Sequence, residues 1–283
     1  MGGSEVGGLN VLDGIEEGRS TWWRIPDPGT PELLRSTGCR RTFARHTHDR
    51  LGLGVIEAGG LAFRYRGRDV LAPAGEVNLV FPGEVHTGRP AGPEGWSYRM
   101  FYLDPTLLLE AARIADPDCV RLPFIAPGVV QDPELAVRLL RLHRLCQDPR
   151  SEPLARQAGL GELLGLLLAR YGSERPAPRQ DGEARAVRRA QDFLREAFPR
   201  PVQLAELGAV SGLNPFRLVR CFTRELGLPP HAFLVQLRLQ HAARLLRGGA
   251  SPARAAAEAG FADQSHLHRH FVRCFGVTPG AFR

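Results

Sequence analysis

Two arginines forty-nine residues apart, Arg220 and Arg269, carry the side chains best suited to chemistry in this chain of 283 residues. A guanidinium donates two parallel hydrogen bonds to O6 and N7 of guanine, so an arginine near the start of an exposed helix is a base reader. The competing roles are gripping phosphate or pairing with an acid. Gln264, Ser265 and His268 share the polar side of the run Gln264–Phe275 with Arg269, opposite Leu267, Phe271, Cys274 and Phe275 at helical spacing. A polar face of that size at a helix start fits a major groove. A second set is histidine. His46 and His48 lie two apart on an expected strand and so on one face, and His86 follows Phe81-Pro-Gly-Glu-Val. Three imidazoles could close a divalent-metal site, or could hydrogen-bond a small molecule or one another in a pocket. Arg45, Trp96 and Tyr98 are weaker lining candidates, with ordinary core or surface as the alternative.

The arginines need helices to position them. Ser251-Pro252 is a cap followed by proline at the first helical position, opening a short helix Ala253 to Ala259 that stops at Gly260. Asp263 caps the next helix, from Gln264 to about Phe275. Two short helices around a glycine turn make a helix-turn-helix. The unit occurs twice: a shift of forty-nine pairs Arg269 with Arg220, Leu267 with Leu218, Phe271 with Phe222, Arg273 with Arg224, Gly276 with Gly227, Pro279 with Pro230 and Phe282 with Phe233. The first copy uses Leu204 to Ser211 and Pro215 to Leu226, after an amphipathic helix Ala184 to Phe198. A helix from about Pro230 to Arg247 joins the copies. For Arg224, Arg273 and Arg238, further along their helices, the expectation is phosphate contact, or a solvated or structural role.

The tail GFADQSHLHRHFVRCFGVTPGAFR resembles the C-terminal signature of the AraC family of bacterial transcription regulators, through Gly260, Phe261, Ser265, Arg269, Phe271, Gly276, Thr278, Pro279 and Arg283, with Phe282 where tyrosine is common. By position in that family, the readers beside the arginines would be Gln264, Ser265, His266 and His268 in the second unit, and Phe216 and Val219 in the first. The last two have no hydrogen-bond donors, so the first half-site would be read mainly through Arg220. Gly75, Phe81 to His86 and His46-Thr-His48 resemble the two motifs of a cupin, the small barrel this family commonly carries ahead of its DNA-binding part. The glutamate usual in cupin enzymes is missing, with Gly52 and Leu53 in its place.

Charge divides the chain in the same way. All 37 basic residues are arginine, and residues 184–283 hold 15 of them against 6 acids, a net of +9, while the remainder carries a net of −2. A basic C-terminal third is what a phosphate backbone would meet. Short strands punctuated by Gly and Pro fill the region from Leu33 to Leu103, clearest at Leu51–Ile56, Leu61–Tyr65, Asn78–Phe81 and Trp96–Leu103. Helices follow at Thr106–Ala115, Pro133–Gln147 and Leu154–Tyr171; the last is apolar around much of its circumference and must pack on the barrel wall, join a homodimer contact, or both. Five scattered cysteines imply buried thiols in a reducing cytoplasm. No run reaches membrane-spanning length, and the N-terminus has neither basic start nor apolar core, so no signal peptide is expected.

The expectation is an α+β chain with a flexible segment 1–30, a cupin-like β jelly roll 31–104, a helical dimerisation and support region 105–171, a linker 172–183 and an all-α tandem helix-turn-helix domain 184–283. Its function would be that of a cytoplasmic, sequence-specific DNA-binding transcription regulator under a small-molecule effector held by His46, His48, His86, Arg45, Trp96 and Tyr98, and not an enzyme. Effector binding would bias the arrangement of the two halves across the linker. Partners would be double-stranded DNA, the effector, a second copy as homodimer and, as a further candidate, RNA polymerase; no cofactor is assigned beyond a candidate divalent metal at His46, His48 and His86. The competing readings are a metal-dependent cupin enzyme fused to a DNA-binding tail, and a ligand-independent regulator whose barrel is a dimerisation shell.

Overall fold

A computed structural model describes residues 12–14, 18–27, 29, 31–173 and 182–282. In chain order its elements are β1 (Leu12–Gly14), β2 (Arg19–Arg24), β3 (Glu32–Cys39), β4 (Phe43–His46), β5 (Leu51–Tyr65), β6 (Arg68–Pro73), β7 (Val77–Val80), β8 (His86–Pro90), β9 (Trp96–Leu103), α1 (Pro105–Ala115), β10 (Phe124–Ile125), β11 (Val129–Val130), α2 (Pro133–Gln147), α3 (Pro153–Tyr171), β12 (Gly172–Ser173), α4 (Gly182–Ala197), α5 (Leu204–Ser211), α6 (Pro215–Leu226), α7 (Pro230–Arg247), α8 (Pro252–Glu258) and α9 (Gln264–Phe275). The chain divides into two compact units, one formed by residues 1–42 and 49–176, the other by Phe43–His48 with 177–283.

In the first unit a sheet runs in the order β1-β2-β3-β9-β5-β7-β11, with neighbouring strands antiparallel. β5 is 15 residues long because the two expected strands Leu51–Ile56 and Leu61–Tyr65 are one, bent at a bulge between Ile56 and Ala58. Its first half pairs with β7 and β9 and its second half with β6 and β8. Successive residues alternate between the two faces of the sheet. Leu51, Leu53, Val55, Val77, Leu79, Phe101 and Leu103 take the face that packs on α2 and α3, in one core with Leu135, Leu139, Leu163, Leu164 and Leu167. The apolar side of α3 is therefore buried on the sheet wall.

Caps fix where these helices start. Asp104 accepts from the Thr106 amide at 3.0 Å ahead of α1. Asp132 accepts from the Leu135 amide at 3.0 Å and also takes Arg170 Nη1 at 2.7 Å and Tyr171 Oη at 3.0 Å, tying the start of α2 to the end of α3. Beneath α2, the Arg99 guanidinium donates to Glu57 at 2.8 Å, to His143 Nδ1 at 3.1 Å and to Gln147 at 2.6 Å, while His143 Nε2 donates to the Leu34 carbonyl at 3.3 Å. His143 is wholly buried as a neutral imidazole; burial first, then the charge of Arg99, push its pKa down to about 3.

The structure moves several boundaries: Gly182 and Glu183, expected in the linker, belong to α4, and Phe43–His48, expected in the barrel, groups with the second unit. Residues 19–24, expected within a flexible segment reaching residue 30, form β2 and pair along their whole length with β3. Trp22 supplies the reason: it is 8 % exposed and stacks on Tyr102 at 5.1 Å. The rest of the expected flexible segment is largely outside the described residues, as is 174–181 of the expected linker, whose first two residues form β12 against β10.

In the second unit α4 to α7 share a core of Val187, Ala190, Leu194, Leu207, Leu218, Cys221, Phe222, Phe233 and Leu234. The far half of α7 buries Leu239, Ala242, Ala243 and Leu246, and α8 and α9 pack on α7, contributing Ala255, Ala256, Leu267 and Phe271. Gly227 and Gly276 end α6 and α9 at φ of 75° and 77°, a left-handed conformation that glycine adopts without a Cβ clash.

Candidate nucleic-acid interface

α6 begins at Pro215 behind Asn214, whose side chain accepts from the Phe216 amide at 3.0 Å; α9 begins behind Asp263, which accepts from the His266 amide at 2.6 Å. The cap of α6 is neutral and its first turn holds no acid, so its positive end stays open toward an anion, whereas the Asp263 carboxylate already meets that of α9. The inward stripe of α6 is Leu218, Cys221 and Phe222, and that of α9 is Leu267 and Phe271, each 3 % exposed or less. Cys274 and Phe275, expected in the stripe, are only partly buried.

On the outward side of α9 stand Gln264, Ser265, His268 and Arg269, all exposed. His266 departs from them. It is partly buried, edge-on to Phe261 at 5.4 Å and 4.9 Å from the ring of His270, a packing position. On α6, Arg220 is exposed, Phe216 is 80 % exposed and Val219 is partly buried. Phe216 is thus a large apolar side chain left in water at a helix start.

The arginines sort by what holds them. Arg217 and Arg224 are both taken by Glu183 of α4, at 2.8 and 2.7 Å, and those two guanidinium groups hold its carboxyl down at a pKa of about 2. Arg238 donates to the carbonyls of Phe198 and Arg200 at 2.8 and 2.9 Å, a structural role. Arg189 donates to the Val210 and Ser211 carbonyls and so satisfies the end of α5. Among the described residues, Arg220 and Arg269 make no ion pair and no side-chain hydrogen bond. Equivalent positions in the two repeats therefore keep their full donor sets for a ligand.

The six residues expected around an effector fall in different units. Phe43–His48, carrying Arg45, His46 and His48, groups with the second unit. There Arg45 donates to the Gly227 carbonyl at the end of α6 at 3.0 Å, His46 Nδ1 is 2.8 Å from the Ala44 carbonyl, and the His46 and His48 rings are 6.4 Å apart. His86, Trp96 and Tyr98 belong to the first unit; His86 bonds the Glu84 carbonyl at 3.1 Å, and Trp96 stacks on Tyr98 at 5.6 Å. Among the described residues no group of three His, Cys, Asp or Glu could hold a metal ion, so His46, His48 and His86 are not assembled as a metal site. β4 ends at His46, so His48 lies beyond the strand on which both were expected, and their spacing does not say on which unit they pack.

The second face of the sheet brings the expected lining residue Tyr98 together with residues that the sequence did not single out for a ligand. Gly52, Gly54, Ile56, Asn78, Val80, Tyr98, Met100 and Tyr102 alternate with the core residues of β5, β7 and β9. Asn78 is 4 % exposed; its Nδ2 donates to Met100 Sδ at 3.6 Å, and its Oδ1 has no partner among the described residues. A Cβ on Gly54 would lie 1.9 Å from Met100 Sδ and 2.9 Å from that same oxygen, so only glycine fits. A lone asparagine inside Val-Asn-Leu-Val and the Gly-x-Gly alternation of β5 were the available signals.

A β-rich unit followed by two helix-turn-helix units, each with an exposed, unengaged arginine, defines a DNA-binding transcription regulator with a ligand-binding domain. The family model described as AraC-like ligand binding domain matches residues 30–164, and that described as helix-turn-helix domain matches 207–283. The chain belongs to the AraC family. The Bacillus subtilis HTH-type transcriptional regulator YbfI is 27% identical over 241 residues, spanning 83% of this chain and 85% of the relative. The HTH-type transcriptional regulator MtrA of Neisseria gonorrhoeae is 36% identical over 76 residues, or 26% and 25% of the two chains. A crystal structure of wild-type ToxT from Vibrio cholerae with bound unsaturated fatty acid superposes with a TM-score of 0.55 at 12% identity, covering 94% of this chain and 95% of that one, a likeness of fold. These relatives are regulators, and the enzyme reading is set aside: the chain is not an enzyme. Among the described residues no helix is long and apolar enough to cross a membrane.

Proposed function

We propose that the chain reads a bipartite DNA site through Arg220 and Arg269, one from each helix-turn-helix unit. The observation that carries this reading is that these two guanidinium groups, at repeat-equivalent positions, are exposed and unspent while Arg217, Arg224 and Arg238 are held by the protein. Gln264, Ser265 and His268 add polar contacts around Arg269, and Phe216 adds an apolar one beside Arg220. α7, 18 residues at 1.5 Å each, spans about 27 Å, which suits recognition helices about one DNA turn, roughly 34 Å, apart. In vitro selection from random duplexes tests this. Two short blocks about 10 base pairs apart support it, and a single block contradicts it.

The effector of this regulator is best accommodated on the second face of the sheet, against Asn78, Tyr98 and Met100. The unpartnered buried Asn78 oxygen supports a ligand with a hydrogen-bond donor, since such an oxygen is costly to leave unmade. Control then requires that the effector bind two states of the regulator unequally. Asn78→Leu tests the site: it should abolish effector-dependent changes in DNA binding while leaving DNA affinity without effector unchanged.

A homodimer contact fits the outward groove of α2 and α3. The groove, about 760 Å³, is lined by Val137 and Leu145 among alternating charges Glu134, Arg138, Arg141 and Glu162, a rim that can complement itself across a two-fold axis. Sedimentation of Val137→Asp checks it: a monomer agrees, and an unchanged dimer points elsewhere.

A further inference from the structure

The first unit has a second opening, on the helical side of the sheet. A cavity of about 400 Å³ is walled by Ile25, Phe101, Leu107, Leu142, Leu160 and Leu164, and Ile114, also in its lining, is 84 % exposed. Small-molecule sites run from about 300 to 1,000 Å³, with mostly apolar walls and a few placed polar groups. The polar group here is an ion pair. Arg156 donates from Nε and Nη2 to the two oxygens of Asp27 at 2.8 and 2.7 Å, and the two side chains are 10 % and 7 % exposed. Each Asp27 oxygen accepts one of these bonds and keeps a further lone pair. Glu110 brings a second carboxylate to the lining, so two acids face one guanidinium, which favours a donor or cation over an anion. Water is a poor filling, since a buried water needs two to four polar partners and most of this wall offers none.

Gly161 of α3 completes the picture. A Cβ there would meet nothing within 4 Å, so the space beside it is open. Gly161 is exposed and lines the mouth of the cavity, so a bulky side chain there would stand across the entrance. We propose that the cavity binds a small apolar amine, with its frame among Ile25, Phe101, Leu142 and Leu160 and its N–H directed at Asp27, at a site separate from the effector face.

The test uses the full chain and the neutral aromatic amine N-phenyl-1-naphthylamine, followed by isoleucine methyl resonances. Of the five isoleucines, Ile25 and Ile114 line this cavity and Ile56 lies on the effector face. Saturable shifts of Ile25 and Ile114 with Ile56 unmoved are expected. Gly161→Phe should weaken the probe about tenfold or more without lowering Tm, and the anionic probe 1-anilinonaphthalene-8-sulfonate should bind the native chain about tenfold more weakly than the neutral amine, because its charge must be buried beside two carboxylates. Shifts confined to Ile56, no saturable binding, equal binding of the anionic probe, or native affinity in Gly161→Phe would each overturn the proposal. Each leaves the DNA-reading account untouched, because none of these residues belongs to the second unit.

Discussion

Phe271 meets Phe282 edge to face, with ring centroids 5.0 Å apart and planes at 74°. Forty-nine residues earlier Phe222 meets Phe233 at 5.6 Å and the same 74°. The sequence repeat is thus a repeat of packing: each recognition helix is held by one buried ring from itself and one from the segment that follows its glycine stop. Equivalent pins hold equivalent helices, which is why Arg220 and Arg269 occupy equivalent outward positions.

Removing a pin should loosen its helix. Phe222 and Phe271 are 0 % exposed, and truncating a buried phenylalanine to alanine costs about 3–5 kcal/mol. Phe271→Ala and Phe222→Ala should each lower the unfolding free energy of the helical unit, read from urea melts, by an amount in that range. Phe216→Ala, at an exposed site, should leave that free energy within about 0.5 kcal/mol of the native chain.

The neutral His143 predicts an acid weakness in the first unit. Its pKa is about 3 when folded, against an ordinary value of 6.5. A histidine whose folded pKa is depressed binds its proton more readily unfolded, so its share of stability is complete above pH 6.5 and is lost as pH falls toward 3. Thermal melts from pH 7 to 4 should therefore show a declining Tm for the native chain. In His143→Gln the decline over that window should be shallower, from a lower starting Tm.

Glu183 works lower on the pH scale. Arg224 and Arg217 depress its pKa to about 2 from an ordinary 4.5. Its link between α4 and α6 is complete above pH 4.5 and is lost as pH falls toward 2. The three side chains are substantially exposed, so the stabilisation is also screened by salt. Glu183→Gln should melt below the native chain at pH 7, with the difference closing toward pH 2. It should also bind non-specific DNA more tightly at low salt, because two guanidinium groups are released to phosphate.

The second unit was legible because its boundaries are written in residues with few conformational options. Asn214-Pro215, Ser251-Pro252 and Asp263 start helices, and Gly227 and Gly276 stop them, so the observed α5, α6, α7 and α9 have the expected bounds. β2 was not legible: a glycine-rich surround masks a strand whose only strong apolar anchors are Trp22 and Trp23. The effector residues were the least legible. His-Thr-His spacing suggests one strand face, but β4 ends at His46, and membership of one unit or the other is settled by bonds such as Thr47 N to Gln236 at 3.2 Å and Gln240 to Thr47 Oγ1 at 2.9 Å, nearly two hundred residues away in sequence. Asn78 was overlooked because an interior asparagine on a strand is noticed only once its neighbours are known to be apolar on both sides.

Fluorescence anisotropy with a selected duplex and a scrambled one, for the native chain, Arg220→Ala and Arg269→Ala, most directly tests the proposal that these two arginines read bases. Each substitution should weaken the selected duplex by about 1–3 kcal/mol, or roughly 5- to 150-fold, and relax base preference in its own half-site while changing the scrambled duplex far less. Equal losses on both duplexes, with base preference intact, would mean that the two arginines grip phosphate and that the sequence is read elsewhere.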